Sequence, residues 1–187
     1  MKSPFSFITK PATGRRYDNV KQIGGIDFIT SSSEEDHLAS NRFAEVIAVP
    51  LGYPGPIVPG DTLLVHHNVF KFYNDIKSRR KSGKSFFRDD IFLVDVDQYF
   101  MYKHNETWTA VDRYCFVEPI PVTDSFLKKG CSNEPLTGVM RYPNEYLRNQ
   151  GVIEGMTVCF TPESEYEFNV EGKKLYRIFD HQITIAL

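Results

Sequence analysis

The chain echoes itself in order. AEVIAVP (Ala44 to Pro50) returns as TGVMRYP (Thr137 to Pro143), and VPGDTLLV (Val58 to Val65) returns as IEGMTVCF (Ile153 to Phe160). The flanks follow: FSFITKP precedes the first copy as YCFVEPIP precedes the second, and DVDQYFMYK follows the first as VEGKKLYRI follows the second. Segments repeated in one order constrain the fold strongly, because each copy forms the same elements and buries the same kind of face. Each copy reads as strand, long loop, strand, Gly turn, strand, hairpin and closing strand. The division falls near Glu118 to Val122, giving a first unit over residues 1–120 and a shorter second one over 121–187.

The fold class follows from the runs themselves. FAEVIAVP, DTLLVHHNVFKFY, DIFLVDVDQYFMYK, MTVCFTP, KLYRIF and ITIAL are rich in β-branched and aromatic residues and are separated by Gly, Pro, Asp and Asn. That pattern specifies an all-β chain. A helix of one or two turns is expected only at PNEYLRNQG, with Tyr146 and Leu147 as its apolar face and Gly151 after its last turn. A hydrophobic content of 41% supports a packed core in 187 residues.

Charge and motif content exclude several functions. Lys and Arg number 22 against 24 Asp and Glu, so no global field draws the chain to nucleic acid or an anionic membrane. No apolar run approaches the ~20 residues of a membrane helix, and the first residues lack the apolar region of a signal peptide. A cytoplasmic protein is expected, with Asn105 of the NET sequon unglycosylated and Cys115, Cys131 and Cys159 as reduced thiols. His66 and His67 are adjacent in a strand-like run, which points them to opposite faces and denies them a common metal. The acidic cluster Glu34, Glu35 and Asp36 beside His37 lies in polar sequence that is poor at tuning pKa values. Nucleophile elbow, phosphate loop and zinc signatures are absent from the sequence, so neither an enzyme, a cofactor nor a metal is expected. The basic run KSRRKSGK, Lys77 to Lys84, is expected to be a solvated hairpin tip, its stem formed by VFKFY and SFFRDDIF.

One stretch does not read as core. Between Tyr17 and Pro50, Ile26, Phe28 and Ile29 sit between Gly24-Gly25 and the polar TSSSEED. The glycines weaken local folding and the polar run supplies no core. Such a segment is expected to stay mobile when free and to order when a hydrophobic groove on a partner accepts its aliphatic residues. The competing reading makes Ile26, Phe28 and Ile29 an ordinary strand packed on the core.

A first strand, a GGI loop followed by aliphatics, a Ser/Glu stretch, AEVIAVP, a Pro-Gly turn and VPGDTLLV together resemble the GroES co-chaperonin family. The second half, GVIEGMTVCFTPESEYEFNVEGKKLYRIFDHQITIAL, is similar to the family's carboxyl half. The resemblance covers nearly the whole chain in two tandem copies. It implies two GroES-like, partly open β-barrels in a non-enzymatic co-chaperonin that caps a GroEL-type chaperonin as a homo-oligomeric ring. Such a ring assists client folding without a cofactor. Its contact loop falls on Gly24, Gly25, Ile26, Asp27, Phe28 and Ile29.

The sequence also departs from the family. Pro50 and LGYPGPI replace a Gly and a longer roof hairpin, Asp27 stands where the family has an aliphatic residue, and NDIKSRRKSGKSFFRDD is inserted. The second copy's loop, TDSFLKKGCSNEPLTG, lacks both the Gly pair and the aliphatic triplet. These departures resemble co-chaperonins encoded by tailed phages, which would act in the host cytoplasm. The alternative is a structural or assembly protein that uses the same barrel as an interaction module.

Overall fold

The computed structural model describes residues 1–17, 20–23, 26–29, 40–122 and 133–187, with only the backbone described for 20–23 and 26–29. The chain forms two compact units, Met1–Thr107 and Trp108–Leu187. The border expected at residue 120 falls inside one continuous strand, Tyr114–Pro121, which belongs wholly to the second unit.

The first unit carries β1 (Phe7–Pro11), β2 (Val20–Ile23), β3 (Ile26–Ile29), β4 (Phe43–Ala48), β5 (Thr62–Val65), β6 (Phe72–Asn74), β7 (Arg80–Ser82), β8 (Phe86–Arg88), β9 (Ile91–Val94) and β10 (Tyr99–His104). The border between the units falls inside β11 (Thr107–Ala110). The second unit continues with β12 (Tyr114–Pro121), β13 (Asn133–Tyr142), α1 (Glu145–Asn149), β14 (Thr157–Phe160), β15 (Tyr166–Val170), β16 (Lys173–Phe179) and β17 (Ile183–Ala186). A seven-stranded sheet has the order β11-β10-β5-β4-β1-β9-β8, and a six-stranded sheet has the order β15-β16-β12-β13-β14-β17. Two further ladders, β2-β3 and β6-β7, stand apart as two-stranded sheets. The protein is all-β and its sheets are antiparallel; among the described residues none closes on itself. No described helix is long and apolar enough to cross a membrane.

The two units share one topology. Read from β10 to β8, the first sheet repeats the second read from β17 to β15, with β1, β4, β5, β8, β9 and β10 answering β12, β13, β14, β15, β16 and β17. Register agrees as well. Thr9 pairs with Val46 as Val117 pairs with Met140, and Pro11 pairs with Ala44 as Pro119 pairs with Gly138. Both ladders carry a shift at the same place, between Ile8 and Thr9 and between Phe116 and Val117. The turns before β5 and β14 are built alike: Gly60 N–H donates to Val46 O and Gly155 N–H to Met140 O, each at 2.8 Å. Both glycines have positive φ, +97° and +90°, where a side chain is strained.

This geometry corrects two of the sequence correspondences. AEVIAVP matched to TGVMRYP sets Val46 against Val139, whereas the structure makes Met140 its counterpart. The buried residues decide this, since Val46 and Met140 are both in the core while Val139 is not fully buried. In a strand a one-residue slip exchanges faces, so the core set fixes the register. The second correction concerns DVDQYFMYK, whose strand β10 corresponds to ITIAL and not to VEGKKLYRI. The hairpin strand β16 answers β9 instead.

The second core gathers Cys115, Val117, Met140, Leu147, Val152, Val158, Phe160 and Ile178. Small residues let its central strands approach closely: a Cβ on Gly138 would lie 2.6 Å from Glu118 O and 2.4 Å from a Val117 methyl. Helix α1 starts where Asn144 Oδ1 accepts the Leu147 N–H at 2.9 Å, a side-chain cap for an otherwise unpartnered donor. Gly151, at φ +88°, follows it as expected. Only Leu147 is buried, however; Tyr146 faces solvent.

Candidate protein-docking site

The chain between β1 and β4 is closed by a built neck where Tyr17 meets Ser40. Tyr17 and Ser40 form an antiparallel bridge, and Asn41 N–H donates to Arg16 O at 2.9 Å. Asn41 is fully buried and uses its whole amide: Nδ2 donates to Thr13 Oγ1 at 2.8 Å and to Arg15 O at 2.9 Å, while Oδ1 accepts Phe43 N–H at 2.8 Å. Ser40 Oγ donates to His67 O at 2.9 Å. A buried polar residue with every group satisfied fixes a chain path rather than weakening it. The sequence reading missed this neck; Ser-Asn just before a strand was its only signal.

Beyond the neck, Ile26 to Ile29 form β3, which pairs with β2 in the register Val20 to Ile29, Lys21 to Phe28, Gln22 to Asp27 and Ile23 to Ile26. Gly24 and Gly25 lie outside the described residues, as do Glu34, Glu35, Asp36 and His37. The described part of the expected contact segment is therefore a strand, in a ladder separate from both large sheets.

The basic insertion is organised differently from the expectation. Arg80, Lys81 and Ser82 are strand β7 rather than a tip, paired with Ser82 on Phe72, Lys81 on Tyr73 and Arg80 on Asn74. SFFRDDIF does not pair with VFKFY; it folds on itself as the β8-β9 hairpin. Asp75 explains the change. Its Oδ1 accepts the N–H groups of Lys77 at 2.8 Å and Arg79 at 2.9 Å, and its backbone N–H donates to Arg79 O at 2.9 Å, so the turn closes four residues later. Ser78 takes a φ of +55° within that turn.

Neck and hairpin are joined. Phe72 N–H donates to Tyr17 Oη at 2.7 Å, and the two rings stack with centroids 6.1 Å apart. The Arg16 guanidinium lies 4.1 Å from the Phe72 centroid and 4.7 Å from those of Phe86 and Phe92, while its Nη1 donates to Ser82 Oγ at 3.0 Å. Burial holds its pKa below the usual guanidinium value, with Asp90 acting in the opposite sense. A cation enclosed by aromatic faces is attracted to each of them, so Arg16 clamps the hairpin's root.

Other candidates resolve into structure. His66 and His67 follow β5 in a turn, where strand alternation no longer applies, and their rings lie 4.1 Å apart instead of on opposite faces. Among the described residues no group of three or more His, Cys, Asp or Glu is gathered as for a metal ion. Asp61, buried beneath the turn before β5, accepts Val58 N–H at 2.9 Å and lies 2.8 Å from His104 Nδ1, which fastens that turn to β10. In the second unit Arg177 rests against Tyr114, Tyr166 and Phe179. Cys115 and Cys159 are free thiols, and Cys131 lies outside the described residues. No protein-family model matches this chain, and no curated protein matches it.

Proposed function

We propose that this chain is a co-chaperonin of the GroES type, built from two GroES-like units and docking on a GroEL-type chaperonin through Ile26, Phe28 and Ile29. The observation that carries the reading is the β2-β3 ladder, which belongs to neither large sheet and falls in the chain between the bridged Tyr17 and Ser40. The repeated strand order supports the tandem reading. Backbone pairing before contact lowers the ordering cost of binding, which is on the order of 1 kcal/mol per residue fixed. Burial of three apolar side chains contributes roughly 5 to 9 kcal/mol. One such contact is weak, and a ring that presents several together gains avidity without further chemistry.

The test is one variant with Ile26, Phe28 and Ile29 all replaced by Ser. As anchors they leave the melting temperature unchanged when lost, while binding to a nucleotide-loaded chaperonin and client refolding disappear. As core residues they take several kcal/mol with them, and the protein melts or aggregates. A stable variant that still binds moves the reading to an assembly protein that uses the same units as an interaction module.

A further inference from the structure

The β6-β7 hairpin carries a second surface feature that the loop reading does not use. Its turn presents Ile76 to solvent with a relative exposure of 106%, and Tyr73 beside it is 49% exposed. Scattered apolar residues on a surface need no explanation. Here, however, the turn is held shut by Asp75, which also lies 3.7 Å from Arg79 Nε and 3.4 Å from Lys81 Nζ, so Ile76 is displayed on an ordered tip. Lys77 and Arg79 share its turn, Lys81 follows in β7 and Lys84 lies at the far end of the hairpin, all exposed. Lys71, Tyr73 and Lys84 line a groove of about 330 Å³ at the hairpin's root. An apolar tip on a hairpin that carries cations along its length suits protein docking, with the tip giving affinity and the cations steering the encounter.

We infer that this hairpin is a second docking element, with Ile76 as its anchor, for an apolar pocket rimmed by carboxylates on the same chaperonin face that receives Ile26, Phe28 and Ile29. The inference rests on the co-chaperonin reading and adds the chemistry of the partner's surface. Two observations favour a shared partner. Tyr17, at the neck of the excursion, bonds and stacks on Phe72 of the hairpin, and Arg16 ties Phe72 and Ser82 to the same point. The excursion that carries β3 is therefore tied at its first described residue to the first strand of the hairpin. A protein is favoured over nucleic acid because the outermost residue is an isoleucine, which has neither a hydrogen bond for a base edge nor a ring to stack on one.

The experiment uses the full chain, a nucleotide-loaded chaperonin and two variants, Ile76→Ser and the pair Lys77→Glu with Lys84→Glu. Ile76→Ser is expected to weaken binding about tenfold with an unchanged melting temperature, because a fully exposed side chain has no burial to lose. The charge variant is expected to slow association several-fold and to flatten its fall with rising salt. Variants that match a binding parent in affinity, rate and salt dependence overturn this inference alone. A parent that does not bind overturns it together with the co-chaperonin reading. A single-stranded oligonucleotide serves as the control ligand: if the parent binds it, the charge variant does not, and chaperonin binding is untouched, the hairpin is a nucleic-acid element and the inference fails.

Discussion

Gln98 and Gln182 hold corresponding stations in the two units. Each turns its Oε1 back to accept a backbone N–H three residues earlier, Gln98 from Asp95 at 3.0 Å and Gln182 from Phe179 at 3.1 Å. The device closes the corner between β9 and β10 in one unit and between β16 and β17 in the other. Their surroundings differ: Gln98 is buried and its Nε2 also donates to Ser85 Oγ at 3.0 Å.

Gln98→Ala should therefore cost more than Gln182→Ala. A buried donor left without a partner costs roughly 1 to 3 kcal/mol, and a more exposed one recovers water. Urea unfolding gives the two stabilities, and amide exchange at Asp95 and Phe179 shows each corner opening. Equal losses would remove the assigned difference in burial.

Asn41→Ala tests the neck. The change strips partners from Thr13, Arg15 and the Phe43 N–H, a loss of roughly 2 to 3 kcal/mol for a buried three-bond network. Exchange at Asn41 and Phe43 should accelerate most. A stability within 0.5 kcal/mol of the parent, about the scatter of surface changes, shows that the neck is not held by this side chain.

Gly138→Val should unfold the second unit, because a Cβ there meets Glu118 O at 2.6 Å and backbone cannot step aside. Ala44, its counterpart, shows that one methyl is tolerated in the first unit. Circular dichroism of the variant decides the matter; native content and melting temperature would mean that β12 and β13 part more easily than their register implies.

Cys115 gives the protein an alkaline weakness. Burial pushes its thiol from 9.0 up to about 12, with Asp180 adding to the rise and Arg177 opposing it. Between those two values the unfolded chain releases a proton that the folded chain retains, so stability is fully present below pH 9 and falls as pH rises. One group contributes a slope of about 1.4 kcal/mol per pH unit in that window. Melting at pH 8 and pH 10.5 should show a smaller alkaline drop for Cys115→Ala than for the parent, whatever the packing cost common to both values.

The hairpin fixes where the insertion tolerates cutting. Deleting Ser78 to Lys84 removes β7 along with the Ser82 hydroxyl that Arg16 reaches, and should destabilise the first unit. Replacing Ile76 to Ser78 with Asn-Gly makes a two-residue turn between Asp75 and Arg79, keeps both strands in register and should leave the melting temperature within a few degrees.

Some of this architecture was legible in the residues. Gly60 and Gly155 announced their turns because a positive φ admits few alternatives, and the strand runs named the fold class. The register of Val46 was not, since the Val and Pro shared by AEVIAVP and TGVMRYP favour the alignment one residue off, and only burial reveals the slip. His66 and His67 misled because nothing in a run of apolar and aromatic residues marks where a strand ends. The Asp75 turn was hidden for another reason: the basic letters that follow it describe charge, whereas the carboxylate before them sets the chain's direction. The Ile26 to Ile29 segment stood out by composition alone, and its pairing with Val20 to Ile23 needed a partner strand that carries two polar residues.

The Tyr17–Ser40 bridge closes a loop in the first unit. The entropy of such a closure grows by only about 0.6 kcal/mol for each doubling of the loop's length. A change in the number of residues between Tyr17 and Ser40 therefore adds little to the cost of pairing β1 with β4. On the co-chaperonin reading proposed above, the contact segment falls inside that loop, so its length is the cheapest thing about it to alter.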